Sequence, residues 1–355
     1  MPPHFGPGTT AEQVAGALAN DISGKNVLVT GTSMGGLGFE TARSLAPYAN
    51  LVILAGYNKE RLSIAEEAIT REFPAANVRK LLLDLSCFAD IRRAAAEINQ
   101  YPEPLHVRLD PLLVTTQAHA EVLLQVIIHN AAAPIGPFCL SADGLESQVA
   151  IGHIGPFLLT KLILPRILAA ENPRIVYVSS LGHRWVNKSD LDWPSSLQRA
   201  DPESFSPWKS YALTKVANVI TAREVFCRSN GEVEAFSVHP GVIFTNIHKR
   251  AGSLDAFRDV GVLDADGRPQ PNDVGEWKSV AEGAATTVFG AFAHGLEPGA
   301  YLANCAEANQ LALPCVFDRN LGESLWSATE GIIGEDFSFE IKNGAGQAAS
   351  RSSSS

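Results

Sequence analysis

The sequence predicts an α/β protein built as a doubly wound parallel sheet in a single domain. Short apolar runs alternate with longer amphipathic stretches from residue 26 onward, the order that a parallel sheet with crossover helices requires. The runs are continuously apolar, as strands covered on both faces must be. A glycine-rich turn, GTSMGGLG at residues 31–38, follows the first run and opens a helix.

Residues 26–30 (NVLVT) read as the first strand, 51–55 (LVILA) as the second, 78–83 as the third and 122–129 as the fourth. Between them, residues 38–45, 58–72 and 89–98 carry apolar side chains at helical spacing. A long helix over 145–169, a fifth strand over 174–179, a helix over 211–228 and a sixth strand over 233–238 complete the pattern. Residues 186–209 are polar and contain Pro194, Pro202 and Pro207, which predicts a surface loop bordering a pocket.

The chain divides into an N-terminal extension (1–21), the domain itself (22–340) and a disordered tail (341–355) that ends RSSSS. One stretch breaks the pattern near 108–125. PLHV at 104–107 and VIIHNAAA at 126–133 would join smoothly, yet 18 residues (RLDPLLVTTQAHAEVLLQ) lie between them. Either the fourth strand begins near Val122 after an unusual insertion, or the segment is an intron read into the gene.

Composition narrows the function classes. Apolar residues make up 46% of the 355 and charged residues 19%, the balance of a packed globular domain. A net charge of −10 with no basic run argues against a nucleic-acid partner. The five cysteines form no CxxC, so reduced thiols in a cytoplasmic protein are expected, with neither disulfides nor a zinc site. No secretory leader is visible, and no uncharged apolar stretch reaches the roughly 18–20 residues that span a bilayer. Nine histidines are scattered without ligand spacing, so no metal is expected, and His183 and His239 read as structural.

Glycines directly after a strand let the backbone approach a pyrophosphate, and the free amides of the following helix bind its charge, the Rossmann-type arrangement. Tyr211 and Lys215 form YxxxK, one helical turn apart on one face. Three of the five tryptophans, at 185, 193 and 208, fall in the region that should border a substrate.

In conjunction these residues resemble the short-chain dehydrogenase/reductases, particularly their retinol-dehydrogenase-like branch, over about residues 22–330. Thr30-Gly31 with Gly36, Leu37 and Gly38 matches the glycine motif with one extra residue in the turn. Asp84-Leu85, Asn130-Ala131-Ala132, Ser180 in VYVSSLGH, Tyr211 and Lys215 in SYALTKVAN, and Pro240, Gly241, Val242 and Thr245 in HPGVIFT fall in family order. GAATTVFGAF, GAYLANC and ESLW resemble the branch's C-terminal part.

The resemblance implies a dinucleotide cofactor and an alcohol/carbonyl interconversion on a mainly apolar small molecule. Tyr211 would be the acid/base, and Ser180 would donate to the substrate oxygen. Lys215 would hold the nicotinamide ribose and favour the tyrosinate, whose free pKa is about 10. Relatives carry Asn-His-x-Gly-His-Phe where this chain has GHIGPF, so the fourth catalytic position is Gly152. There the useful group in relatives is a main-chain carbonyl holding a relay water. Pro156, four residues on, has no N–H to claim that carbonyl, so the water site is expected to survive.

The second strand runs into Gly56-Tyr57-Asn58 with no acid for ribose hydroxyls, so NADP is expected over NAD, with the 2′-phosphate resting on Ser33, Lys59 or Arg61. A dinucleotide-binding regulatory or scaffolding protein with little turnover is the main alternative. An epimerase or dehydratase using the same Tyr and Lys is weakened by the C-terminal segments. The long helices could pair between subunits into a homo-oligomer.

Overall fold

The computed structural model describes residues 5–101, 123–198, 201–248, 250, 252–271 and 276–339. Of the stretch near 108–125, only 123–125 fall among the described residues, and the tail 341–355 lies outside them.

Eight strands form one sheet: β1 (Asn26–Thr30), β2 (Leu51–Gly56), β3 (Val78–Leu82), β4 (Val126–His129), β5 (Arg174–Val178), β6 (Glu234–His239), β7 (Tyr301–Ala303) and β8 (Ala306–Glu307). Their spatial order is β8-β7-β6-β5-β4-β1-β2-β3, and every pairing is parallel except the closing β7–β8 hairpin. β1 is buried along its whole length because β2 and β4 flank it, Val27 pairing with Val52 on one side and Val126 on the other.

The labelled helices are α1 (Ala11–Ala17), α2 (Leu37–Leu45), α3 (Lys59–Glu72), α4 (Phe88–Ile98), α5 (Gly155–Leu162), α6 (Pro207–Arg228), α7 (Val280–Phe292) and α8 (Arg319–Ile333). Strand alternation sends Val27 and Val29 to one face, where they pack with α1, α2, α3 and α7, and Leu28 to the other, with α4, α5, α6 and α8. This is the doubly wound, Rossmann-type sheet. Of the N-terminal extension, residues 5–21 join the first of these cores: Thr10 and Gln13 form a capping box, and Val14 and Ala15 are fully buried.

Three expectations change. β4 starts at Val126 rather than near Val122, because a side chain and a helix carbonyl claim the preceding backbone: Asn26 Nδ2 donates to Leu123 O (2.9 Å), and Leu124 N donates to Arg166 O (3.1 Å). The helix expected over 145–169 is broken. Ser147–Val149 opens it, Ala150–Ile154 is a π-turn in which Gly155 N bonds Ala150 O, α5 follows, and a short helix restarts over Leu164–Leu168 with Pro165 in its first turn. Prolines at 156 and 165 lack the N–H that would continue the i→i+4 ladder, so the register slips. Finally, 186–209 is not all loop: Trp193–Gln198 is helical with Trp193 fully buried, and Pro207 is the first residue of α6, where a missing N–H costs nothing. Among the described residues no helix is long and apolar enough to cross a membrane.

Candidate active site

The strand order reverses between β1 and β4, and a crevice opens at their C-terminal ends. Gly31 leaves β1 at φ +75°, a conformation that L side chains rarely adopt, and a Cβ there would meet Ala131 Cα at 2.8 Å. Asn130 locks the neighbouring loop by donating Nδ2–H to Thr30 O (2.9 Å), while Thr30 Oγ1 accepts the N–H groups of Asn130 and Ala131 (3.0 Å each). Gly38 is a packing glycine: a Cβ would overlap the Asn130 amide and come within 2.6 Å of Gly31 O. Gly36 caps α2 with no side-chain hydrogen bond, so the first amides of that helix face the crevice uncapped.

The crevice is a cavity of about 810 Å³ running along the sheet's C-terminal edge. Of the residues singled out in the sequence, Gly31, Ser33, Gly36, Leu37, Asp84, Leu85, Asn130, Ser180, Tyr211, Lys215, Pro240, Gly241, Val242 and Thr245 line it. Gly38, Gly152 and Lys59 do not; Lys59 is an exposed first-turn residue of α3. Arg61 reaches the edge indirectly, donating Nη1–H to Tyr57 Oη (3.3 Å), and Tyr57 is a wall residue.

Ser180 follows β5, and its Oγ accepts Gly182 N–H (3.1 Å), which leaves its proton for the Tyr211 hydroxyl. Lys215 Nζ sits 5.5 Å from the Tyr211 ring centroid and donates to Val178 O (2.9 Å), a carbonyl that Asn218 Nδ2 also uses (3.2 Å). Burial pushes the Tyr211 phenol up, and the Ser180 hydrogen bond partly offsets this. Burial pulls Lys215 down to about 8. Lys215, which the sequence reads as the acidifying neighbour of Tyr211, lies over the Tyr211 ring and is also anchored to the sheet, while Ser180 adds a hydrogen bond to the phenol.

Gly152 lies in the π-turn, closely packed on α6, where a Cβ would overlap Thr214 Cγ2. α6 is held from the same side: Glu146, itself buried, accepts the Gln148 and Val149 N–H groups (3.0 and 3.2 Å) and the Ser210 hydroxyl, and Gln148 Nε2 donates to Pro207 O (3.0 Å). His183 ties the site to the C-terminal segment. Its Nε2 accepts Leu313 N–H (3.1 Å), so its Nδ1 proton goes to Ser180 O (2.6 Å).

Beyond Tyr211 the wall is aromatic. Trp185 packs on Tyr211 (6.1 Å) and on Trp208 (5.5 Å), and Trp208 meets Phe257 edge-on (5.1 Å). The tryptophans therefore divide: Trp185 and Trp208 are cavity walls, while Trp193 is core. Phe257, His248 and Arg250 also line the cavity and had no signal in the sequence beyond their place after Thr245.

A doubly wound sheet with a glycine turn at its switch point, and Ser, Tyr and Lys across the crevice from it, defines the class of dinucleotide-binding α/β proteins. The short chain dehydrogenase family model matches residues 25–187. The chain is 32% identical over 321 residues to the WW domain-containing oxidoreductase of Danio rerio, covering 89% of this chain and 70% of that protein. It is 28% identical over 323 residues to Retinol dehydrogenase 12 of Homo sapiens, covering 88% and 87%. A solved protein from Mycobacterium Paratuberculosis superimposes with a TM-score of 0.62 at 23% identity, covering 90% of this chain and 98% of that one. The chain belongs to the short-chain dehydrogenase/reductase family of oxidoreductases, in its retinol-dehydrogenase-like branch.

Proposed function

We propose that this protein is an NADP(H)-dependent oxidoreductase that interconverts an alcohol and its carbonyl on a mainly apolar small molecule. The observation that supports this most is the convergence of Ser180, Tyr211 and Lys215 on the same cavity as the glycine turn. The residues fit a dinucleotide: Gly31 leaves no room for a Cβ, Gly36 exposes uncapped helix amides, and residues 56–58, where β2 ends, carry no carboxylate to repel a 2′-phosphate. When bound, the nicotinamide supplies or accepts hydride.

In reduction, the Tyr211 hydroxyl gives its proton to the carbonyl oxygen, and Ser180 donates a hydrogen bond to the same oxygen as charge develops. In oxidation, Tyr211 takes the alcohol proton. Lys215, buried on α6 with its Nζ over the Tyr211 ring, holds ribose hydroxyls and offers positive charge to the phenolate as it forms. The Gly152 carbonyl, lacking an i+4 N–H because residue 156 is proline, holds the water that returns the proton. Ser33 at the glycine turn and Arg61 behind Tyr57 receive the 2′-phosphate. Lys59 is the least suited of the three candidates.

A second reading, dinucleotide binding with little turnover, is favoured by one feature: Gly152, the fourth catalytic position, is not among the residues that line the cavity. Titration of purified protein with NADPH and NADH, followed by a panel of carbonyl compounds, separates the two. Turnover supports the enzyme; tight cofactor binding with no turnover across the panel supports the second reading.

A further inference from the structure

We propose that Arg250 recognises a carboxylate on the substrate, so that the preferred substrate is a flat, apolar alcohol or carbonyl compound with an acid group remote from the reacting carbon. This rests on the oxidoreductase reading above and asks what the far half of its cavity takes.

The charge of the cavity wall is unlike that of the chain. The protein carries 38 acidic residues and a net charge of −10, yet among the described residues Asp84 alone of the carboxylates lines the cavity. Asp84 is engaged, accepting Ser86 N–H (2.9 Å) and Ser86 Oγ–H (2.6 Å). The cationic wall residues are Lys215, which is bonded to Val178, and Arg250. Arg250 is a partly buried residue whose guanidinium makes no ion pair or side-chain hydrogen bond among the described residues. His239 and His248 also face the cavity, and burial keeps both rings below their ordinary range, so at neutral pH they add no competing charge. A planar guanidinium beside apolar walls gains most from a bidentate carboxylate.

Its position points to the substrate rather than to the glycine turn. The Arg250 carbonyl accepts the N–H groups of Ser253 (3.1 Å) and Leu254 (3.3 Å) at the head of the helix Ser253–Asp259. That helix sets Phe257 against Trp208 and against His248 (4.4 Å), and half-exposed Val260 follows it at the cavity wall. From Tyr211 the wall thus runs through Trp185, Trp208 and Phe257 to the segment that Arg250 begins, a slot for a ring system with an anion at its end.

The dinucleotide's own phosphates are the rival anion, and the test separates them. Aryl aldehydes bearing a carboxylate on tethers of zero to three carbons, and their methyl esters, are compared in wild type, Arg250→Met and Arg250→Lys, with NADPH affinity measured by fluorescence. The acid-to-ester ratio of kcat/KM is expected to favour one acid in wild type, to fall at least tenfold in Arg250→Met and to recover in part in Arg250→Lys. NADPH affinity is expected to shift less than twofold. A wild-type ratio near one for every tether overturns the proposal, as does a loss confined to NADPH affinity. Should no aldehyde turn over, the oxidoreductase reading fails on its own. Quenching of Trp185 and Trp208 by the same acids and esters then decides on Arg250: a preference for acid that Arg250→Met abolishes supports it, and no preference overturns it.

Discussion

Gly152 and Thr214 occupy one space: the methyl group of Thr214 stands where a Cβ on Gly152 would be. The π-turn can lie against α6 only because position 152 has no side chain, while the Thr214 hydroxyl is tied down to Ser210 O (2.9 Å). Gly152→Ala should therefore destabilise the fold by about 1–3 kcal/mol, the usual cost of overpacking. Adding Thr214→Ser, which removes the methyl group, should restore most of this, and the coupling is read from chemical denaturation of the four proteins in a double-mutant cycle. Additive losses would show that the two residues do not share the space.

His129 and His153 should make the protein acid-sensitive. Both are fully buried rings that donate Nε2–H to a threonine, Thr160 (2.8 Å) and Thr329 (2.9 Å), whose own protons go to helix carbonyls. Burial lowers both to about 3, well under the unfolded value near 6.5. The unfolded chain then binds more protons between pH 6.5 and 3, and stability falls as pH drops through that window. From pH 7 to 5 the loss is expected to be about 2 kcal/mol per ring. His153→Asn, which keeps a donor for Thr329, should remove one increment from the denaturation midpoint measured across this range.

Ser180 has two effects on the reaction. Its single hydroxyl proton lowers the Tyr211 phenol against the pull of burial in the free site, and would turn to the substrate oxygen once charge develops there. Ser180→Ala should cut kcat by about 10²–10³ and move the rising limb of the alcohol-oxidation pH profile upward, because the phenolate loses its hydrogen bond. A drop in kcat with an unmoved limb would assign Ser180 to the substrate alone.

Cofactor choice should turn on the glycine loop. Ser33 lines the cavity at the end where β2 brings no acid. Ser33→Asp should weaken NADPH by tenfold or more through charge repulsion and affect NADH far less. Equal losses for both would place Ser33 away from the 2′-phosphate.

Much of this architecture was legible in the chain because burial on both faces writes itself as uninterrupted apolar runs, and β1, β2 and β5 begin where their runs do. The helix over 145–169 was misjudged for the opposite reason. Apolar periodicity continues through Pro156 and Pro165, and only hydrogen-bond geometry reveals the slip into a π-turn. Pro207 was read as a breaker although it starts α6, since proline at a first helical position and in a loop look alike without the capping Ser206. β7 is three residues long and gives no periodic signal, yet it extends the sheet beside β6. At the site, ordered motifs exposed the residues near the glycine turn and on α6. Arg250 and Phe257 escaped notice because a cavity wall of mixed loop and short helix has no spacing rule.

The most direct test of the account is Tyr211→Phe, which removes one oxygen from a half-buried ring and leaves the packing against Trp185 in place. NADPH binding should stay within a fewfold of wild type while carbonyl reduction falls by about 10²–10⁴, the contribution expected of a positioned acid. Turnover that survives the substitution would contradict the central claim, because the proton would then come from another group.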